Sequence, residues 1–241
     1  MKKLLFLLLI FWLPLSCKSE EKTNSVLASG NWYKIAVQED GVYKISYSNL
    51  SNLGINTSNL SCSRIRIFGN GGGMLPNLNS DFRHDGLQEN AILVVDNNAN
   101  GIFESNDYIL FYGQSPDRWN YNTTDSRFHH QKNLYSRKTY YFITADGTSG
   151  LRVQSLVEPT TAATRNITTF REYQFYERDE YNLLNLGRRW FATRFDVENL
   201  QDFEFNFSNR VADAPVDLRV YTAAISESST SFTVRVNNQP V

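Results

Sequence analysis

Between residues 30 and 150, apolar and polar positions alternate in short runs. Trp32-Tyr33-Lys34-Ile35-Ala36-Val37 and Val42-Tyr43-Lys44-Ile45-Ser46-Tyr47 flank Glu39-Asp40-Gly41. Two β-rich runs around an Asp-Gly turn predict a hairpin. Leu50, Leu53 and Ile55 fit one short helical turn over 49–55 that ends at Gly54. Arg64-Ile65-Arg66-Ile67-Phe68 alternates again and runs into Gly69-Asn70-Gly71-Gly72-Gly73. The unbroken apolar run Ala91–Val95 predicts a strand buried on both faces. Tyr108–Tyr112, closed by Gly113, and Lys138–Thr144, running to Asp146-Gly147, complete a β-rich first half.

Residues 151–168, with Pro159 and a Thr/Ala cluster, read as a connector. The period of Phe170–Leu186 is ambiguous. Beyond it, Arg189–Phe195, Phe203–Phe207, Leu218–Ala223 and Phe232–Val236 are short strand-like runs spaced by turns. That spacing suits a β-sandwich or jelly roll. Asn237-Asn238 then signals a hairpin turn whose returning strand is missing, and a sandwich needs about seven strands. The expectation is an all-β, mainly antiparallel fold. A β-rich domain over 30–150 precedes an incomplete sandwich-like domain over 169–241, in a fragment of a longer protein.

Composition narrows the class. The 24 Lys and Arg balance 25 Asp and Glu to a net charge of −1, which argues against a nucleic-acid partner. Hydrophobic residues at 41% and aromatic ones at 14% argue against disorder. Two cysteines exclude a disulfide scaffold and a cysteine-built zinc site. The chain opens with Met1-Lys2-Lys3 and an apolar run from Leu4 to Leu13, about half the length a membrane-spanning helix needs. Residues 1–17 therefore read as a secretory signal peptide. Ser16-Cys17 resembles a bacterial lipobox, with Pro14 where Leu is usual, so Cys17 is the candidate lipidation site and 18–29 a polar tether. The other reading is an ordinary cleaved signal. Cys62, left without a partner, reads as a small buried hydrophobe.

The candidate chemistry is sparse. The Gly69–Gly73 run lacks G-x-G-x-x-G spacing and a Walker lysine, so it reads as a loop of close backbone approach rather than a phosphate cradle. His84, His129 and His130 read as exposed loop residues, and no nucleophile elbow is present. One segment stands apart. Counting Asp96 as position one, oxygen-bearing side chains fall at one (Asp96), three (Asn98), five (Asn100) and nine (Glu104). A carboxylate follows at twelve (Asp107), with Gly101 at six and the Ile102 carbonyl at seven. Calcium wants six to eight oxygens, and this is the EF-hand loop template without its helices. Asn at three and five, and Asp rather than Glu at twelve, predict a weak structural site. The alternative is an Asn-Gly-rich turn without metal.

Several of these segments recur in one order. They are Trp32–Ile35, Glu39–Ile45, Leu53-Gly54-Ile55, Arg64–Gly73, Asn100–Phe103, Asp107–Gly113, and Asn182-Leu183-Leu184 with Gly187–Phe191. The ordered set resembles the N-terminal region of the PorU-type sortases of the Bacteroidetes type IX secretion system. The resemblance implies a longer parent whose gingipain-like cysteine peptidase module lies outside this segment. That family removes C-terminal sorting domains from cargo and joins the cargo to surface lipopolysaccharide. It implies an outer-membrane or cell-surface location, with partners among other type IX secretion surface proteins and secreted cargo. No catalytic residue is assigned here, and Cys62 lies in the wrong region to be the nucleophile. The expected function is a non-catalytic scaffold or docking part of such a sortase. The alternative is a free-standing surface lipoprotein that binds a ligand or glycan, anchored in the outer membrane through Cys17.

Overall fold

The computed structural model describes residues 25–187 and 189–241, so the signal peptide and Cys17 lie outside the described residues. The fold is mainly antiparallel β-sheet with almost no helix, as the alternation predicts. The chain divides into two units, Met1–Glu158 and Pro159–Val241. Among the described residues no helix is long and apolar enough to cross a membrane.

In the first unit, β1 (Tyr33–Val37), β9 (Thr139–Thr144), β3 (Arg66–Phe68) and β4 (Glu89–Asn90) lie side by side in that order. A second sheet has the order β2 (Gly41–Ser46), β6 (Tyr108–Gly113), β5 (Leu93–Val95). All of these pairings are antiparallel. Period-two alternation sends Ile109, Phe111 and Gly113 of β6 inward, and Thr139, Tyr141 and Ile143 of β9. The two inner faces meet in one core, where Phe111 and Tyr141 stand edge to face with ring centroids 5.3 Å apart.

The Asp-Gly turn does not make a hairpin. β1 pairs with β9 and β2 pairs with β6, so the chain crosses from one sheet to the other at Gln38–Asp40. The Asp40 carboxylate accepts the Ser115 N–H at 2.8 Å, and Tyr43 Oη donates to Glu39 O at 2.9 Å, which fixes this corner. Local turn chemistry was legible, but the partner strands lie far off in sequence, Tyr33 facing Ile143 and Gly41 facing Gly113.

Helix α1 (Tyr47–Asn52) starts at Ser46. The Ser46 side chain accepts the Asn49 N–H, and Asn49 Oδ1 accepts the Ser46 N–H, a closed capping box. Leu50 anchors this turn in the core. The run at 91–95 is not buried on both faces. Ile92 is fully buried, but β5 is an edge strand with a single neighbour, and Leu93 is 43% exposed. A polar hairpin, β7 (Arg118–Asn122) and β8 (Arg127–Gln131), projects between β6 and β9.

The second unit differs from the sandwich-like expectation. The runs at 203–207 and 218–223 carry no paired strand, and Phe191 makes an isolated bridge to Tyr181. Among the described residues, pairing is confined otherwise to β10 (Arg235–Val236) and β11 (Gln239–Pro240). Asn237 and Asn238 both have positive φ, 48° and 65°, as a tight hairpin turn requires, so the expected turn forms and a short returning strand follows it. No described residue from 159 onward is buried. The strand-like alternation there has no core to face.

Candidate functional site: the loop between β5 and β6

The pairing of Val95 with Tyr108 brings the first and twelfth positions of the loop, Asp96 and Asp107, side by side at the end of one strand pair. The far side is tied to the chain before β3. Cys62 N–H donates to Gly101 O at 2.9 Å, and Phe103 N–H donates to Leu60 O at 2.7 Å. Phe103, at position eight, is fully buried and stacks on Tyr47. An apolar anchor thus holds a polar loop to the core.

Within the loop the template residues turn on their own backbone. Asp96 Oδ2 accepts the Gly101 N–H at 2.7 Å, Asn98 Oδ1 accepts Asn100 N–H at 3.3 Å, and Asn100 Oδ1 accepts Ile102 N–H at 2.7 Å. These short-range bonds are what Asx side chains do in turns. Gly101 has φ of +80°, which is why glycine stands at position six. The Ile102 carbonyl takes no hydrogen bond from a described residue. Asn98 Nδ2 donates to Glu104 Oε2 at 2.6 Å.

Asp107 is placed differently from a simple ligand. It is 3% exposed, and its two oxygens accept the N–H groups of Asn97 at 2.9 Å and Glu104 at 2.8 Å. It staples both ends of the loop. Among the described residues no three His, Cys, Asp or Glu side chains stand together as a metal-holding group. The oxygens of a calcium shell here would come from the Asp96 and Asp107 carboxylates, the Asn98 and Asn100 amides and the Ile102 carbonyl, with Glu104 directly or through water. Asp96 Oδ1 fits such a role, because it is buried and takes no hydrogen bond of normal geometry. The Cys62 thiol stands against the Asp96 carboxylate and is too weak a donor to satisfy it.

Burial, then the Asp96 and Asp107 charges, push the Cys62 thiol up to about 11. It stays protonated at neutral pH and is not an activated nucleophile. The sequence marked Cys62 as a packing residue, and it does pack against the core, half-buried. Its place beside Asp96 had no sequence signal, since the two lie 34 positions apart.

The glycine run is structural, as expected. The Gly72 carbonyl accepts from Arg118 Nε at 3.1 Å and Nη2 at 2.8 Å, and the same Nη2 donates to Gln114 Oε1 at 2.6 Å. A carbonyl facing a guanidinium is the reverse of a phosphate cradle. The histidines depart from the expectation of loops. His129 and His130 lie on β8, where His129 Nε2 is 2.7 Å from Asp125 Oδ2 and His130 packs on Trp119. His84 is exposed and meets Phe82 edge-on.

No family model and no curated protein matches the chain. Among solved structures, it is similar to dimeric latent PorU from Porphyromonas gingivalis, at 29% identity and a TM-score of 0.42. The similarity covers 57% of this chain and 12% of the PorU chain.

Proposed function

We propose that this chain is the non-catalytic N-terminal scaffold of a cell-surface type IX secretion sortase, and that its first unit carries a structural calcium loop. The ordered motif set supports this reading, because its members in the first unit occupy corners and seams of one fold. Asp40-Gly41 sits where the chain changes sheet, Gly72 seats Arg118, Asn100–Phe103 seams the loop to Leu60–Cys62, and Tyr108–Gly113 is the central strand of the second sheet. Calcium would take Asp96, Asn98, Asn100, the Ile102 carbonyl and Asp107, with Glu104 directly or through water. When bound it supplies charge neutralisation and a fixed turn, while the chain's own residues keep β5 and β6 in register. Lipidation at Cys17 would tether the unit to the outer membrane through 18–29. Secreted cargo and other secretion-system surface proteins are its proposed partners.

The test compares the purified chain with the cell. The chain alone is expected to leave a reporter bearing a C-terminal sorting domain uncut. Deleting codons 30–150 from the chromosomal gene is expected to leave cargo with uncleaved sorting domains. Cleavage by the chain, or normal cargo processing in the deletion strain, would overturn the reading, and the second result would favour a free-standing surface binding protein.

A further inference from the structure

We infer that a cavity at the end of the first sheet, walled by Trp32 and Asp146, binds a neutral saccharide ring. The inference stands apart from the sortase reading. The cavity measures about 340 Å³, and Arg66, Phe68, Thr144 and Gly147 complete the part of its wall that matters. That volume is within the range of small-ligand sites.

The wall is aromatic and rigid. Trp32 meets Phe68 edge to face at 5.1 Å, and its indole N–H donates to Ser29 O at 2.7 Å. With that bond made, what Trp32 offers a ligand is ring surface, which suits the C–H side of a sugar. Polar capacity is left over beside it. Of the five N–H groups of Arg66, one is used, Nη2 to Glu89 Oε2 at 2.7 Å. Its Nη1 has no hydrogen-bond partner among the described residues and lies beside Gly147 of the lining, 3.5 Å from where a Cβ there would stand. Asp146 uses Oδ2 for both the N–H and the Nδ2 of Asn31, at 2.7 and 3.0 Å, and Oδ1 accepts nothing from the described residues. An unused donor and an unused acceptor on one aromatic wall are what neighbouring hydroxyls require, since each hydroxyl both gives and takes.

Charge selects within the polar ligands. Among the described residues the lining carries one charge of each sign, Arg66 and Asp146, and Arg66 is already paired with Glu89, so a phosphate or carboxylate meets no free cation. A cation is disfavoured too, because the Arg66 guanidinium already lies over the Phe68 ring at 4.7 Å. A neutral hydroxylated ring meets neither objection.

The test is saturation-transfer NMR on the purified chain with the methyl glycosides of glucose, galactose and mannose at millimolar concentration. N-acetylneuraminic acid and glucosamine serve as charged controls. Transfer to at least one neutral glycoside is expected, weakened about tenfold in Asp146→Asn. Trp32→Ala, checked for folding by circular dichroism, is expected to abolish it, and Asp146→Asn alone decides the matter if Trp32→Ala does not fold. Absence of transfer to all three neutral glycosides overturns the proposal. So does transfer that Asp146→Asn leaves unchanged, or a preference for either charged sugar.

Discussion

Gly72→Ala is expected to destabilise the first unit by about 3 kcal/mol, the upper range for forcing atoms into a packed interior. A Cβ on Gly72 would overlap the Ser115 carbonyl oxygen outright and come within 2.9 Å of Thr139 Oγ1. The first obstacle is backbone, so no side-chain rotation relieves it. Any shift of the 69–73 loop also breaks the two Arg118 bonds to Gly72 O, which join it to the β7–β8 hairpin. Gly101→Ala provides the contrast. Gly101 has positive φ but open space around its Cβ position, so only the backbone strain of about 1 kcal/mol is expected. Urea unfolding read from hydrogen exchange of core amides such as Ile143 separates the two. Equal losses would mean that the glycine run is not seated against Ser115.

Asp107→Ala is expected to cost nearly as much, again about 3 kcal/mol, because it leaves two N–H groups without an acceptor. Those are the amides of Asn97 and Glu104, at opposite ends of the loop. The carboxylate is almost completely buried, so water does not readily replace it. The effect should be present in chelator as well as in calcium, since the bonds exist without an ion. Amide exchange at Asn97 and Glu104 should accelerate ahead of the rest of β5 and β6. Glu104→Ala, at an exposed position, should fall within about 0.5 kcal/mol of the parent. A loss for Asp107→Ala as small as that for Glu104→Ala would contradict the stapling role.

Much of the first unit was legible because local rules and tertiary burial agree there. The inward residues of β6 and β9 follow the alternation, and Gly54 ends the helical turn as expected, though α1 starts two residues earlier than the expected 49–55, at the Ser46 cap that the alternation places in a strand. The loop at 96–107 was legible as a spacing, and Gly101 and the Asx bonds of Asn98 and Asn100 follow from it. What escaped is what depends on distance along the chain. The crossing at Asp40 needs Ser115, the seat of Gly72 needs Arg118, and the setting of Cys62 needs Asp96. The β7–β8 hairpin escaped for another reason. Its tip, Tyr121, Asn122, Arg127 and Phe128, is exposed, and only the Arg118-Trp119 and His129-His130 ends are half-buried, so neither strand has the alternating buried face that would mark it. In the second unit the reverse holds, where alternation at 203–207 and 218–223 has no buried face to answer it. Hydrophobic period reports a strand's two environments, and it misleads wherever both are solvent.

The calcium loop is most directly tested by thermal melting of the purified chain in calcium and in chelator, beside Asp96→Ala. Asp96 Oδ1 is the buried oxygen that an ion would satisfy, and removing it should remove the response. With a dissociation constant of roughly 10⁻⁴–10⁻³ M, calcium at about ten times that value adds about 1.4 kcal/mol to the folded state. For a unit of this size that raises the melting temperature by about 5 °C. The predicted result is such a rise in the parent and none in Asp96→Ala, with magnesium giving little. A parent melt that calcium moves no further than the variant's would contradict the claim, and loop 96–107 would then be a turn held by its own hydrogen bonds and the Phe103 anchor.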